Sequence, residues 1–408
     1  MKCRHCHRRL THTFIDLVNS PPSNSFLLND QLMEPEIFYP VKLFVCHHCH
    51  LVQIDEYKKS ADIFNQAYAY FSSFSKTWLA HANAYVEMIT ARLGLGKDSF
   101  VMEIASNDGY LLQYFKGRGI PCLGIEPSKN TAQAARAKGI ESITEFFGVE
   151  LARTLVQKGV KPDLLLGNNV LAHVPDLGDF VAGMKLVLAE QGVITMEFPH
   201  LLQLVENNQF DTIYHEHYSY LSFHTVQEIF KKQGLTLFDV QEIPTHGGSL
   251  RIFARHAQDE SKPILSSVKA LHAREAAAGM MEMPFYTGFQ QKADQVKYGL
   301  LEFLIHQKRA GKKVAAYGAA AKGNTLLNYC GIKKDLICFV VDASPHKQGK
   351  YLPGSHIPVV AEEVIQSETP DYILILPWNI KDEIIEQLGY IGEWGGRFVT
   401  AVPELRCW

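Results

Sequence analysis

The chain has 408 residues, 47% apolar and 20% charged, with a formal net charge of -3. That composition is ordinary for a soluble protein, and the length exceeds what one core serves, so two or three domains are expected. The near-neutral, slightly acidic balance argues against nucleic acid as a partner. No apolar run approaches a bilayer span, and no signal-like apolar run opens the chain, which leaves a cytoplasmic protein with reduced cysteines.

Cys3 and Cys6 form one CxxC pair, and Cys46 and Cys49 form another. Two such knuckles offer four thiolates to a tetrahedral zinc, and four thiolates leave no open position, so the site reads as structural. The histidines beside it (His5, His7, His47, His48, His50) could replace a thiolate. A segment of about fifty residues has a small core, and a metal supplies the stability it lacks.

A helix is expected from about Trp78 to Leu93, stopped by Gly94. Apolar runs at 100–105, 122–126, 163–168 and 193–198 then alternate with helical stretches. That pattern predicts a doubly wound, mostly parallel sheet. Runs at 235–243 and 249–255, joined by Pro244–Gly248, predict an antiparallel hairpin at its edge.

Ligands of such sheets sit at the carboxyl ends of the strands. The first end reads Glu103-Ile104-Ala105-Ser106-Asn107-Asp108-Gly109, with one glycine where a dinucleotide fingerprint has three. The second ends in Glu126-Pro127, a carboxylate placed for the two hydroxyls of a ribose. The next strand ends at Asn168-Asn169, with His173 just beyond. A ribose site without a phosphate cradle fits S-adenosylmethionine better than NAD.

Tyr214-His215-Glu216-His217-Tyr218-Ser219-Tyr220 follows the strand at 193–198. A dry core does not take that many polar tips without partners for all of them. A cleft does, and an imidazole, a carboxylate and a phenol are the groups proton transfer needs. Strict alternation would put Tyr214, Glu216, Tyr218 and Tyr220 on one face and the histidines on the other, with His215 pointing away from substrate.

Residues 260–310 read as helical, with Met280–Pro284 as a linker whose methionines fill core. Val314–Thr325 then runs strand, small-residue turn, helix, and strands at 337–342 and 371–377 continue a parallel pattern. Lys322 at that turn can meet a phosphate.

These motifs (the dithiol N-terminus, EIASNDGYLL, NNVLAHVPD and YHEHYSYLS) resemble the sugar C-methyltransferases of deoxysugar biosynthesis across essentially the whole chain. The resemblance implies an α/β protein with a small N-terminal zinc-binding domain (1–66), a central Rossmann-like class I methyltransferase domain (67–258) and a C-terminal Rossmann-like sugar-nucleotide domain (259–408). It implies a monomer using S-adenosylmethionine and a structural zinc. The substrate would be a nucleotide-linked 4-keto-deoxysugar, on dTDP or else GDP, methylated at C3 through an enolate. Residue by residue, the catalytic groups fall on Tyr214, Glu216, His217 and His173. The cofactor's aromatic neighbour falls on Tyr68 or Tyr70, beside Glu103, Ala105, Asn107, Gly109, Glu126, Pro127, Asn168 and Asn169. Substrate contacts fall on Tyr214, His215, Lys322, Asn324 and His346. Three other classes stay open: an NAD(P)-dependent oxidoreductase using the Gly318 turn, a metalloenzyme built on His215 and His217, and a non-enzymatic zinc-ribbon binding protein.

Overall fold

The structure, a computed structural model, describes residues 1–64 and 70–408. The chain forms two compact units, each assembled from separated stretches. The first holds Met1–Leu10, Cys46–Leu201 and Tyr218–Met281; the second holds Thr11–Val45, Leu202–His217 and Glu282–Trp408. The expected division at 66/67 falls outside the described residues.

The first unit is built on a seven-stranded sheet. Its strands are β1 (Val101–Ile104), β2 (Cys122–Ile125), β3 (Ser142–Ile143), β4 (Leu164–Asn168), β5 (Val193–Pro199), β6 (Leu235–Ile243) and β7 (Ser249–His256). Their order is β6-β7-β5-β4-β1-β2-β3. β1 through β5 are parallel, and β7 runs antiparallel to both β5 and β6. β1 and β4 are buried at every residue, which is why they read as continuous apolar runs rather than alternating ones. The chain leaves β1 toward opposite sides of the sheet, to β2 and eventually to β4, so a crevice opens at their carboxyl ends.

Helix α1 (Lys76–Leu93) covers this sheet. Ser75 caps it by accepting from the Trp78 amide, and Gly94 ends it at φ 64°. Trp78, Ala82, Tyr85, Val86 and Ile89 lie on one face and pack with Val101, Phe115, Leu164 and Phe253.

The first unit also ties down the two points where the chain leaves it and returns. The Leu201 amide donates to the Leu221 carbonyl (2.9 Å), and the His200 amide to Gly248 (3.1 Å). Helix α2 (Phe223–Lys232) starts just after the return, capped by Ser222. Helix α3 (Ser266–Ala277) brings Glu275 against both points. One Glu275 oxygen accepts from His200 Nε2 (2.7 Å) and the Phe223 amide (2.6 Å), and the other from the His224 amide (2.8 Å). The carboxylate is wholly buried and answers two of the orphan N–H groups of α2.

The second unit centres on a six-stranded sheet. Its strands are β8 (Val314–Tyr317), β9 (Val340–Val341), β10 (Val359–Val360), β11 (Tyr372–Ile375), β12 (Arg397–Thr400) and β13 (Arg406–Cys407), in the order β10-β9-β8-β11-β12-β13. Only β13 is antiparallel to its neighbour. Helices α4 (Phe289–Arg309) and α5 (Ala321–Cys330) flank β8 in sequence. Strands His12–Ser20 and Tyr39–Val45 pair antiparallel in the same unit. Phe14 stacks on Phe289 at 5.0 Å, so apolar residues between the two CxxC pairs serve this core. The α/β class and the two Rossmann-like sheets are as expected. Met280 is fully buried, as core filling requires. No helix among the described residues is long and apolar enough to cross a membrane.

Glu275→Ala should strand buried donors at the base of α2 and cost about 2–4 kcal/mol, read as a lower urea midpoint. Glu275→Gln keeps an acceptor and should cost less than half of that.

Candidate active site and metal centre

The turn after β1 carries the first group of candidate residues. Ala105, Asn107 and Gly109 have φ of 57°, 49° and 74°. Three left-handed residues at alternate positions produce the curl that glycine-rich turns give, although only one of the three is glycine. Asn107 compensates with its side chain, accepting from the Ser72 amide (2.9 Å) and donating to the Tyr70 carbonyl (3.2 Å). At Gly109 a Cβ would sit 2.4 Å from Ile140 Cδ1. Tyr70 is half-exposed beside this turn; Tyr68 lies outside the described residues.

Glu126 ends β2 and is buried. Its oxygens accept from the Asn107 amide (2.9 Å) and the Ser128 amide (2.8 Å), which ties the second strand end to the first. Burial pushes its carboxyl up, against those hydrogen bonds. Glu103 is fully buried, and among the described residues neither of its oxygens has a hydrogen-bond partner within 3.5 Å. Its carboxyl is pushed well up by burial, eased by the Tyr110 hydroxyl and raised further by Glu126 and Asp108. Both amide atoms of Asn168, the hydroxyls of Ser106 and Ser128, and Asp108 Oδ1 are likewise buried without a hydrogen bond. Buried polar groups left open in one crevice are what a polar ligand must satisfy. A carboxylate for a ribose, a second for an ammonium, and amides and hydroxyls for a base and a carboxylate fit S-adenosylmethionine.

Asn169 is left-handed (φ 54°), its amide held by the Glu197 carbonyl (2.8 Å). Its side chain meets His246 at 3.0 Å. Glu197 itself is buried between Arg251 Nε (2.7 Å) and His81 (2.9 Å). Those two partners hold its carboxyl down against the cost of burial. His173 follows in the 3-10 turn Leu171–His173, its ring edge-to-face with Phe64 at 5.6 Å between centroids. Pro127 is half-buried after Glu126.

The second unit holds the other half of the candidate residues, in a form that alternation did not predict. His217 N donates to Tyr214 O (3.0 Å), so residues 214–217 make a turn rather than a strand. The turn brings the Tyr214 and His217 rings to 4.1 Å. His217 Nδ1 lies 3.0 Å from the Thr212 carbonyl. A carbonyl only accepts, so Nδ1 carries the hydrogen and the basic lone pair is on Nε2. Glu216 is buried and accepts from Asn24 Nδ2 at 2.7 Å. His215 is buried too, at 3.2 Å from the Pro40 carbonyl and edge-on to Tyr39. Tyr218 belongs to the first unit, where its hydroxyl donates to Lys58 O (2.8 Å). The seven-residue stretch thus divides into the turn Tyr214–His217 in the second unit and the buried Tyr218–Tyr220 in the first.

The start of α5 supports that turn. Thr325 Oγ1 donates to the Ile213 carbonyl (2.8 Å), and Asn324 Nδ2 to the Ser23 carbonyl (2.6 Å). Asn324 is therefore a buried clamp on the backbone, with its amide oxygen making no hydrogen bond. Lys322 donates to Asn379 (2.6 Å) and sits 4.6 Å over the Trp378 ring. Trp378 Nε1 in turn donates to Asp211 (2.7 Å). Asp342 accepts from the Ala319 amide (2.8 Å) and from Lys347 (3.1 Å), while His346 is exposed in the following turn. Asn24, 192 residues before Glu216, had no local signal in the sequence.

The four cysteines of the CxxC pairs converge, with all sulfurs within 4.8 Å of one another. Cys3 and Cys49 are 3.5 Å apart, and Cys6 and Cys46 are 3.4 Å apart. Sulfurs about 2.3 Å from a tetrahedral zinc lie about 3.8 Å apart, so the group fits that ion. His7 and His50 occupy left-handed turn positions (φ 61° and 55°) just after each knuckle. Their amides donate to Cys3 O and Cys46 O and so tighten each loop. The four thiols press on one another. Cys3 is driven toward the thiolate by hydrogen bonds from Cys46 and Cys49, and burial pushes Cys6 up to about 11.

Residues 3–64 match the family described as "Putative zinc binding domain", 78–240 match "Methyltransferase domain", and 244–403 match "C-methyltransferase C-terminal domain". C-methyltransferase NovU of Streptomyces niveus is 32% identical over 405 residues, 99% of this chain and 96% of that one. The chain belongs to this C-methyltransferase family. A ubiquinone biosynthesis O-methyltransferase of Bartonella quintana is 25% identical over 95 residues, 23% of this chain and 38% of that one. Magnesium protoporphyrin IX methyltransferase of Synechocystis, solved with bound SAH, superposes with a TM-score of 0.34 and 16% identity over 43% of this chain and 81% of that one.

Three outcomes follow for this C-methyltransferase. Glu126→Ala should weaken S-adenosylmethionine binding by about 1–3 kcal/mol in calorimetry, and Gly109→Val should weaken it more, because the branched side chain meets Ile140. Purified protein should carry about one zinc per chain by metal analysis, and a Cys46→Ser, Cys49→Ser variant should carry none. Asp211 gives a pH signature. Burial raises its carboxyl from 3.8 to about 6, opposed by Lys322 and Trp378. A raised folded value favours the folded state at low pH, and that contribution is lost as pH rises from 3.8 through 6. Native stability minus that of Asp211→Asn should fall over this window by about 3 kcal/mol at most, read from paired denaturant titrations.

Proposed function

We propose that this C-methyltransferase uses S-adenosylmethionine to add a methyl group at C3 of a nucleotide-linked 4-keto-deoxysugar. The observation that carries the reading is the Tyr214–His217 turn, in which the Thr212 carbonyl fixes His217 with its basic nitrogen at Nε2. A ketone at C4 makes the C3 hydrogen acidic by passing charge to oxygen, and the reaction then needs a base and a donor to the enolate. His217 Nε2 takes the C3 proton. Glu216, the residue before it, orients or tunes the imidazole. Tyr214, against the His217 ring, donates to the enolate oxygen or positions the sugar; His173 is the other candidate donor. S-adenosylmethionine supplies an electrophilic methyl group to a carbon nucleophile. Glu103, Asn107, Glu126 and Asn168 would hold it, with Tyr68 or Tyr70 against it. Zinc on Cys3, Cys6, Cys46 and Cys49 would be structural.

The nucleotide belongs with the second unit's β8–α5 turn, dTDP before GDP, with Lys322 and His346 as its cationic contacts. A dinucleotide on that turn, the oxidoreductase alternative, is less well supported. Residues 244–403 match a C-methyltransferase C-terminal domain, which gives a redox dinucleotide no part in the reaction.

The test is hydrogen exchange. With a 4-keto sugar nucleotide and the demethylated cofactor, the enzyme should exchange the C3 hydrogen with solvent deuterium, because deprotonation needs no methyl donor. His217→Asn should abolish both exchange and methylation, and Tyr214→Phe should slow both. Normal exchange in the His217 variant would move the base to another residue.

A further inference from the structure

We propose that Asn24 is a positioning residue for this reaction: its amide fixes the carboxylate of Glu216, the residue before His217. The inference rests on the catalytic reading of the Tyr214–His217 turn. Asn24 Nδ2 donates to Glu216 Oε1 at 2.7 Å, a short charge-assisted contact to a buried carboxylate. Asn24 touches none of the reacting atoms, so its effect runs through Glu216.

The loop that presents Asn24 is held at every step. Pro21 and Pro22 restrict its backbone, and the Ser25 amide closes a turn on the Pro22 carbonyl (3.0 Å). Asn324 of α5 grips the carbonyl of Ser23, the residue just before Asn24. Leu27 and Tyr351 then exchange both backbone hydrogen bonds, at 3.0 and 2.9 Å. A loop built only for closure needs no such grip in its middle. The grip comes from α5, and the next residue of that helix, Thr325, holds Ile213 just before the Tyr214–His217 turn. One turn of helix therefore sets both sides of the Asn24–Glu216 contact. Preorganisation of this kind keeps a charged group in a single orientation without reorganisation during proton transfer. An amide suits the position: it donates to the carboxylate without adding charge, so Glu216 remains available to orient or tune the imidazole.

Two variants test this. Asn24→Ala removes the donor. Asn24→Asp keeps the shape but places a second carboxyl against Glu216, and two carboxyls in contact cannot both ionise easily. The folded Asn24→Asp protein then holds a proton that the unfolded chain releases. Its melting temperature relative to Asn24→Ala should fall between about pH 5 and pH 8. This readout needs no substrate, and a difference that stays flat with pH overturns the contact. With a 4-keto sugar nucleotide, Asn24→Ala should lower kcat about tenfold and leave KM within about twofold. The kcat of Asn24→Asp relative to Asn24→Ala should rise as pH falls, because the introduced carboxyl, once protonated, donates as the amide did. Unchanged kcat in Asn24→Ala, or a ratio independent of pH, overturns the positioning role. A native enzyme that neither methylates nor exchanges C3 hydrogen defeats the functional reading instead, and the melting comparison still decides the contact.

Discussion

One buried carboxylate, Glu275, closes the base of the excursion that carries Tyr214–His217. It binds His200 where the chain leaves the first unit and the two leading amides of α2 soon after it returns. Charge in a dry interior survives only with hydrogen bonds on every side, and here those bonds are also the geometric specification. Residues 202–217 can then be shaped entirely by their own unit, since their two ends are already fixed. Within that unit the first turn of α5 holds this segment through Thr325 on Ile213, while Asn324 holds the Asn24 loop at Ser23.

Both units use the same local solution at a strand end. After β1, three alternate left-handed residues curl the backbone, and Glu126 from the neighbouring strand binds the resulting amide. After β8, Gly318 is left-handed at φ 90°, and Asp342 from the neighbouring strand binds the Ala319 amide. The difference lies in what remains open. Around Glu103 and Asn168 the buried polar atoms await partners, whereas Asp342 is also engaged by Lys347.

Much of this was legible in the residues. Paired CxxC spacing fixes a metal site because two knuckles suffice to bring four sulfurs together, and they do. Apolar runs located the strands because buried parallel strands have no polar face to alternate. The acid after β2 and the small turn after β1 stand where strand-end logic puts them. Other features depend on partners remote in sequence. Asn24 reads as one polar residue in a loop until Glu216 is placed beside it. Alternation failed at Tyr214–His217 because a single backbone hydrogen bond, Tyr214 to His217, turns the chain through the very residues the pattern treated as extended. Likewise His12–Ser20 and Tyr39–Val45 lie between the two CxxC pairs in sequence, but Phe14 finds its stacking partner at Phe289.

That last pairing has a consequence for synthesis. A ribosome adds about 5–20 residues per second and exposes the amino-terminal side first. Phe14, Ile15 and Leu17 emerge early, yet the core that buries them is completed by α4 and the sheet that follows it. The first unit has every residue it needs once Met281 has emerged, so it closes while the hairpin is still waiting. The nascent chain thus carries a folded methyltransferase sheet and an unburied apolar hairpin together, and it is the hairpin that a holding chaperone would bind until translation ends.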